Sequence, residues 1–333
     1  METEIEHGPT DATVTQQMAA VVLDRFGGIE QLQLRRIDLP QVDDDDVLIR
    51  LAAAGVGSWD AVEREGDYDG AFGVPSPFPY VLGWDGAGTV AAIGRNVTAF
   101  EVGDRVYAAT TPVPRGGFYG EYGVAEADHV ARIPDRMPTE QAAALPWDAL
   151  TALSGLDLLA LQPGQSLMIF GASGGIGHLA LQLARAHRLR VLAVASGDDG
   201  VELATRLGAD AVVDGRRQDV LAAASAFAPD GLDAALVTVG GPTTERSLRA
   251  VKSTGRIAWP NGVEPAAETR LPAPISHYDG DRSRAATDRL NQIIEAGSLE
   301  VHVAETFPLE RVQDAHRALR THYIGKLALR VTR

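Results

Sequence analysis

The stretch Leu167-Met168-Ile169-Phe170-Gly171-Ala172-Ser173-Gly174-Gly175-Ile176-Gly177 determines the fold class of this chain. Four apolar residues lead directly into a glycine-rich turn, and a helical pattern follows at residues 176–187. A buried strand, a glycine turn and a helix in this order are typical of a dinucleotide-binding turn. We expect Gly171 to allow the tight turn, Gly174 to admit a pyrophosphate close to the backbone, and Gly177 to let the helix pack near the strand.

The start of that helix completes the predicted phosphate site. A helix N-terminus has unpaired N–H groups and the positive end of the helix dipole, and both attract phosphate. Ser173, Gly175 and Ile176 lie at this N-terminus in the sequence, so we predict that they also bind the cofactor.

The residues around the turn alternate between short apolar runs and helical periods. The predicted strands are 167–170, 190–195, 211–213, 234–239 and 256–259, and the predicted helices are 176–187, 200–207, 220–228 and 243–251. Such alternation indicates a doubly wound parallel sheet of the Rossmann type. We therefore predict an α/β protein with a Rossmann dinucleotide-binding domain at residues 146–265.

The rest of the chain has a different pattern. Residues 1–16 are polar and without periodicity, which predicts a flexible tail. Short strands separated by Gly and Pro are predicted at 18–23, 47–53, 88–93, 105–108 and 130–133, which favours a small, irregular β-barrel. A helix at 283–296 and a strand at 326–331 follow the Rossmann part. We predict that residues 17–145 and 266–333 together form a mostly-β, barrel-like catalytic domain.

Composition excludes several kinds of function. The formal charge of −15 disfavours nucleic acid and anionic lipid as partners. The absence of cysteine excludes disulfides, thiol nucleophiles and cysteine-bound metals. The eight histidines form no HExxH pair, and the four aspartates at residues 43–46 are interpreted as a solvated turn, so no metal site is expected. The sequence has no secretory signal and no apolar run of about 18 residues, which predicts a cytoplasmic protein.

Several ordered motifs make the chain similar to a known family. They are Ala54-Gly55-Val56-Gly57-Ser58-Trp59-Asp60, Pro79-Tyr80-Val81-Leu82-Gly83-Trp84-Asp85-Gly86-Ala87-Gly88, Val102-Gly103-Asp104-Arg105-Val106, Gly117-Phe118-Tyr119-Gly120-Glu121-Tyr122 and Gly325-Lys326. With the glycine-rich turn, they resemble the medium-chain dehydrogenase/reductases, in the zinc-free quinone oxidoreductase branch. The resemblance implies a GroES-like catalytic domain around a Rossmann domain, and a homodimer.

Two positions depart from the patterns of that family. Zinc-dependent members carry a cysteine ligand where Gly57 stands and a histidine ligand where Trp84 stands. Glycine has no donor atom and the indole N–H can only donate, so neither residue can bind zinc. Quinone-reductase-like members usually place asparagine at the Gly57 position, so a polar group expected near the nicotinamide is missing.

The resemblance also implies roles for individual residues. Tyr68 is expected at the mouth of the cofactor cleft, where its hydroxyl would stabilise negative charge on the substrate oxygen; a structural tyrosine is the alternative. Thr151, at the predicted helix start, resembles a residue whose hydroxyl approaches the nicotinamide, or it caps that helix. For Asp60 and Arg64, four residues apart, an intrahelical ion pair is favoured over catalysis. Trp59, Trp84 and Trp147 could line a substrate pocket, although large aromatic residues more often form cores.

The cofactor prediction depends on the second and third Rossmann strands. An NAD site usually has an acidic residue at the end of the second strand, where this chain has Ser196. Arg216, just after the third strand, could pair with a 2′-phosphate, and Gly240, after the fourth, is also expected to contact the cofactor. We therefore predict NADPH, with NAD possible. The acidic side chains Asp198, Asp199 and Glu202 argue against a phosphate.

These observations lead to a predicted activity on a small-molecule substrate. The leading hypothesis is NAD(P)H-dependent hydride transfer to a quinone or an α,β-unsaturated carbonyl, without zinc. The alternative is a dinucleotide-binding protein with a structural or sensor role and little turnover. Tyr323-Ile-Gly-Lys326 has the wrong spacing for the Tyr-x-x-x-Lys motif of short-chain dehydrogenases, which excludes that family.

Overall fold

The computed structural model describes residues 17–71, 73–111, 115–264, 271–297 and 299–331, so the predicted tail at 1–16 lies outside the described residues. In chain order the strands are β1 (Gln17–Leu23), β2 (Gln33–Asp38), β3 (Asp46–Val56), β4 (Tyr80–Val81), β5 (Asp85–Ile93), β6 (Arg105–Ala109), β7 (Tyr122–Glu126), β8 (Val130–Arg132), β9 (Ser166–Phe170), β10 (Arg190–Ala195), β11 (Ala211–Asp214), β12 (Leu232–Val237), β13 (Val251–Pro260), β14 (Ile275–Tyr278), β15 (Val303–Pro308) and β16 (Lys326–Arg330). The helices are α1 (Ser58–Glu65), α2 (Thr139–Ala143), α3 (Pro146–Leu159), α4 (Gly175–Ala186), α5 (Gly197–Arg206), α6 (Val220–Phe227), α7 (Pro242–Ser247), α8 (Arg284–Ala296) and α9 (Val312–Ala318).

A six-stranded parallel sheet with the order β11-β10-β9-β12-β13-β14 occupies the second half of the chain. Every residue of β9 is buried, as expected for an apolar strand covered on both faces. The chain runs outward from β9 to β11 and then returns to β12 on the other side of β9. The strand order therefore reverses between β9 and β12, which is where such sheets bind ligands. The predicted doubly wound Rossmann sheet is confirmed.

The other sheets form the predicted mostly-β part. A seven-stranded sheet contains β15-β16-β3-β5-β6-β8 in that order, with β7 paired to β3, and a three-stranded sheet has the order β2-β1-β4. Strand β16 pairs antiparallel with β3, so the C-terminal end of the chain joins the N-terminal sheet. This arrangement agrees with the GroES-like fold that the resemblance implied.

The predicted elements differ from the structure in two places near the site. Strand β14 was not predicted, and the predicted domain boundary at residue 265 falls between β13 and β14, which pair in the same sheet. The edge strand β14 is only partly buried and has no alternating pattern. The predicted helix at 243–251 is too long, because α7 ends at Ser247 and β13 begins at Val251.

Helix α3 connects the two halves. Its buried residues include Leu150, Leu153 and Leu156, and they belong to one apolar cluster that also contains Ala87 and Tyr107 of the β-sheet part. The same cluster contains most of the buried face of α4. The glycine-rich turn is therefore supported by a core that is shared with the mostly-β part.

Candidate active site

The glycine-rich turn adopts the geometry that its glycines were expected to allow. Gly171 follows β9 with φ of 84°, a conformation that side chains rarely adopt. Gly174 is the N-cap of α4. The space where a Cβ would stand is open, because the nearest atom lies 3.4 Å from the ideal Cβ position. At Gly177 a Cβ would lie 2.1 Å from the carbonyl oxygen of Gly171. The turn and α4 can therefore approach each other only because residue 177 is glycine.

Most of the predicted cofactor residues line one cleft of about 420 Å³ at the carboxyl ends of the parallel strands. These residues are Gly171, Ser173, Gly174, Ser196, Arg216 and Gly240. Ile176 and Thr151 line an adjoining cleft instead, and Gly175 and Gly177 line neither. At Gly175 a Cβ would lie 2.6 Å from Asp148 Oδ1, so this glycine has a packing role.

We call the cleft that contains the glycine-rich turn the outer cleft. One of its walls was not predicted from the sequence. Thr321, His322 and Tyr323 line it from the loop before β16. The N–H of Gly325 donates to the carbonyl oxygen of Ser173 at 2.7 Å, which ties this loop to the glycine-rich turn. No local signal marks these residues, because they reach the cleft only through the pairing of β16 with β3.

Two of the three acidic residues that argued against NADPH, Asp199 and Asp198, have basic partners. His322 Nε2 lies 2.9 Å from Asp199 Oδ1, and this contact lowers the pKa of the Asp199 carboxyl. Asp198 is 2.5 Å from Arg217 Nη1. Ser196 is the N-cap of α5, but its side chain makes no capping hydrogen bond. The electrostatic objection to a phosphate is therefore weaker than the sequence suggested.

The adjoining cleft, which we call the inner cleft, has a volume of about 470 Å³ and is lined by the aromatic residues Trp59, Tyr68, Trp84, Trp147 and Tyr278. The rings of Trp84 and Trp147 meet edge to face with centroids 4.5 Å apart, and Trp59 is 6.4 Å from Trp147. Tyr68 lines the same cleft, with its ring 5.7 Å from that of Trp84. The three tryptophans therefore form a pocket wall, which was the less favoured of their two interpretations.

The surroundings of Tyr68 favour the protonated form of its hydroxyl. It is half-buried, and burial together with the charges of Glu63 and Asp60 raises the pKa of its hydroxyl. The phenol consequently stays protonated at neutral pH and retains its proton for donation.

Thr151 differs from its predicted position. Helix α3 begins at Pro146, so Thr151 lies in its second turn and cannot cap its start. The hydroxyl of Thr151 donates to the carbonyl oxygen of Trp147 at 2.8 Å, one turn earlier, while the residue lines the inner cleft. The prediction of a helix start at residue 150 was wrong, because Pro146 occupies the first helical position and the acidic Asp148 lies in the first turn, as is typical of a helix start.

The two clefts meet beside the glycine-rich turn. Gly174 lines the outer cleft and Ile176 lines the inner one. On the opposite side, just after β12, Val239 lines the outer cleft and Thr238 lines the inner one. A dinucleotide in the outer cleft can therefore extend one end into the inner cleft.

Packed indole side chains fill the space at both positions where zinc-dependent members carry a ligand. The indole N–H of Trp84 donates to the carboxylate of Glu63, which also accepts from Tyr80. A Cβ on Gly57 would lie 2.4 Å from Trp59 Cε2, so the indole of Trp59 fills the space beside this glycine. The residues present do not fit a zinc ion, and the described residues contain no cluster of three His, Asp or Glu side chains that could hold a metal.

Buried carboxyl groups lie behind the aromatic wall. Burial raises the pKa of Asp60 and of Asp85 to about 8, and that of Glu63 to about 7. Lys326 opposes this effect for the two aspartates. This cluster of titratable groups had no signal in the sequence.

The predicted ion pair between Asp60 and Arg64 is absent from the described contacts of both residues. Asp60 turns back to accept the N–H of Gly57 at 2.7 Å. Arg64 donates to the carbonyl oxygen of Gly27 and contacts His316 Nδ1, both at 3.0 Å. The prediction was wrong because Asp60 is the third residue of α1 and satisfies the helix N-terminus, whereas Arg64 is drawn into contacts with distant segments.

Comparison with known proteins identifies relatives along most of the chain. Residues 43–135 match the alcohol dehydrogenase GroES-like domain family, and residues 207–329 match the zinc-binding dehydrogenase family. The chain is 30% identical to the chloroplastic NADPH-dependent alkenal/one oxidoreductase of Arabidopsis thaliana over 96% of its own length and 81% of the relative's. It is also 30% identical to the quinone oxidoreductase of Homo sapiens, over 92% of this chain and 94% of that protein.

Solved structures agree with these matches. An NAD-dependent alcohol dehydrogenase superposes with a TM-score of 0.85 at 28% identity, with 95% of this chain and all of that chain covered. A mycobacterial protein in complex with NADPH superposes with a TM-score of 0.80 at 26% identity, over 94% of this chain and 99% of the other.

Proposed function

Because the chain belongs to the quinone oxidoreductase-like members of the medium-chain dehydrogenase/reductase superfamily, we propose that it uses NADPH to reduce a quinone or an α,β-unsaturated carbonyl. The observation that carries this proposal is the junction of a phosphate-binding cleft with an aromatic cleft at Gly174 and Ile176. In such an enzyme the protein supplies binding, orientation and exclusion of water.

The outer cleft holds the dinucleotide. Its glycine-rich turn and the N-terminus of α4 bind the pyrophosphate through backbone N–H groups. Ser196 and Arg216 are at the carboxyl ends of β10 and β11, where the adenosine ribose lies in Rossmann domains. The nicotinamide, when bound, supplies a hydride equivalent. NADPH is favoured because Arg216 offers a cation and Asp199 is paired with His322.

The inner cleft orients the substrate. The rings of Trp59, Trp84 and Trp147 form a surface on which a flat conjugated molecule stacks. Tyr68 donates a hydrogen bond to the substrate oxygen, where negative charge develops as the β-carbon accepts hydride. Reduction of a conjugated system needs no metal for this purpose, because charge moves onto that distant oxygen.

Alcohol oxidation does not fit this cleft. It requires the hydroxyl group to lose its proton, which zinc promotes by lowering the hydroxyl pKa. Here the positions of the zinc ligands are Gly57 and the hydrogen-bonded Trp84. We therefore expect simple alcohols not to be substrates.

Consumption of NADPH with a panel of quinones, enones and alcohols tests the proposal. We expect turnover with quinones or enones and none with ethanol or benzyl alcohol. The reverse pattern would contradict the proposal. Tight NADPH binding without turnover of any substrate would favour the alternative, a dinucleotide-binding protein with a structural or sensor role.

Three further features belong to this proposal. We place the end of the dinucleotide-binding domain after Tyr278, since β14 pairs with β13. A homodimer, as the resemblance implies, is tested by light scattering on the purified protein. No helix in the described ranges is long and apolar enough to cross a membrane. We also propose a cytoplasmic location, which cell fractionation tests.

A further inference from the structure

Arg282 is the cation that lines the inner cleft. Among the described residues of this lining only Arg282 and Asp279 carry a charge at neutral pH. The carboxylate of Asp279 accepts a hydrogen bond from Asn261 Nδ2 at 2.9 Å and forms no ion pair with the arginine. The cleft therefore presents one guanidinium to whatever binds there.

The guanidinium of Arg282 makes no ion pair or hydrogen bond with any described residue. Its carbon lies 4.8 Å from the centre of the Trp147 ring, so the group stacks on the aromatic wall. Burial lowers the pKa of Arg282, while the charges of Asp279 and Glu126 raise it. Nearby Arg284 instead contacts Asp128 at 3.3 Å. A partly desolvated guanidinium that keeps all its N–H donors available is suited to receive an anion from outside.

The backbone around Arg282 is held firmly. Gly280 packs on α3, where a Cβ would lie 2.8 Å from Thr151 Oγ1. The N–H of Asp281 donates to Ser154 Oγ at 2.9 Å, and the N–H of Ser283 donates to Asp281 Oδ1 at 2.8 Å. The arginine therefore projects from a fixed segment, which reduces the entropy lost on binding.

We propose that Arg282 binds a carboxylate of the substrate, so that the preferred substrates are conjugated carbonyl compounds with an anionic group. This inference rests on the proposed function and specifies its substrate class. A planar guanidinium matches a carboxylate with two parallel hydrogen bonds. The rings of Trp147 and Trp84 connect Arg282 to Tyr68 along the cleft wall. The conjugated system lies on these rings, with its carbonyl at Tyr68 and its carboxylate at Arg282.

The overall charge of the chain gives anions no general attraction. The formal charge is −15, and surface charges are screened within about 8 Å at physiological ionic strength. Preference for an anionic substrate must then come from a local group, and Arg282 is the cation at this place.

A pair of substrates that differ only in charge tests the inference. We would compare a keto-enoic acid with its methyl ester, using wild type, Arg282→Gln, Arg282→Lys and a control, Arg95→Gln. The side chain of Arg95 is 78% exposed, and Arg95→Gln removes the same charge at a position away from the cleft. We expect Arg282→Gln to lower kcat/KM for the acid about 30-fold, as for loss of a charged hydrogen bond, with the ester nearly unaffected. Arg282→Lys should retain part of the preference, and Arg95→Gln all of it.

Several outcomes would overturn the inference without touching the proposed function. One is an equal kcat/KM for the acid and the ester in the wild type. The other is an equal loss of kcat/KM for both compounds in Arg282→Gln. In each case the ester and quinones would still be reduced. If no compound is reduced, the proposed function fails, and calorimetric binding of the saturated keto acid and its ester decides the inference separately. Tighter binding of the acid that is lost in Arg282→Gln supports it, and equal binding contradicts it.

Discussion

The ammonium group of Lys326 on β16 forms an ion pair with Asp148 on α3, and both side chains are 3% exposed. The same ammonium lies 4.5 Å from the centre of the Trp59 ring. The pair also borders the glycine-rich turn, since a Cβ on Gly175 would lie 3.0 Å from Lys326 Cδ. One buried contact thus joins the C-terminal strand, the helix α3, the aromatic wall and the start of α4.

Lys326→Met should destabilise the protein strongly. It removes the cation that stabilises the ionised forms of Asp148 and Asp85, whose pKa values are raised by burial. We expect a loss of about 3–5 kcal/mol in the free energy of unfolding, measured by urea denaturation. The double variant Lys326→Met/Asp148→Leu should lose less, because no unpaired carboxylate remains at position 148. A loss below about 1 kcal/mol in the single variant would show that the pair contributes little.

Tyr68→Phe should lower kcat about 10-fold if the phenol supplies one hydrogen bond to the transition state, a difference of about 1.4 kcal/mol. The aromatic contact with Trp84 would remain, so KM should change little. Tyr107→Phe is the matched control, because the hydroxyl of Tyr107 bonds to Asn291 Oδ1 at 2.8 Å and is not part of the cleft lining. If Tyr68→Phe has wild-type kcat, solvent protonates the product and Tyr68 is structural.

Arg216→Ala should weaken NADPH binding about 10-fold, as expected for loss of one charged hydrogen bond, and leave NADH binding unchanged. We expect the guanidinium to contact the 2′-phosphate, which is the group that distinguishes the two cofactors. Titration of both nucleotides by calorimetry measures this difference, with NADH as the internal control. Equal or tighter binding of NADH to the wild type would refute the preference for NADPH.

Glu63→Gln should change the pH dependence of stability. The pKa of Glu63 is raised from 4.5 to about 7 in the folded protein. The folded protein therefore favours the protonated carboxyl. Its contribution to the free energy of unfolding is fully present below the unfolded pKa of 4.5 and is lost as the pH rises through about 7. Glutamine does not titrate, so the variant should gain about 2–3 kcal/mol relative to wild type between about pH 5 and pH 8. Urea unfolding at several pH values measures this gain, and a pH-independent difference would contradict the raised pKa.

Gly57→Asn should be tolerated only when Trp59 is reduced in size. The added Cβ would lie 2.4 Å from Trp59 Cε2, and overpacking of this kind costs about 1–3 kcal/mol. The double variant Gly57→Asn/Trp59→Ala should recover part of the lost stability, as measured by thermal unfolding against Trp59→Ala alone. Unchanged stability in Gly57→Asn would mean that the indole moves without cost.

The fold class and the glycine-rich turn could be predicted from the amino-acid sequence alone. The strand at 167–170 and the helix at 176–187 were predicted closely, since β9 and α4 have strong local periodicity. The positions of Gly171 and Gly177 were also predictable, because a positive φ and a close backbone approach each require glycine. These properties depend on residues within about ten positions of one another.

The surroundings of that turn depend on long-range contacts, which the local sequence pattern does not reveal. His322 reaches the outer cleft, Arg282 the inner cleft, and Lys326 the buried carboxylates from segments more than a hundred residues beyond the turn. Arg64 likewise bonds to the carbonyl oxygen of Gly27, a contact that its local spacing did not indicate. A side chain forms an ion pair or lines a cleft according to its distance and burial in space. Those quantities were determined by the pairing of β16 with β3 and of β14 with β13, which local periodicity does not encode.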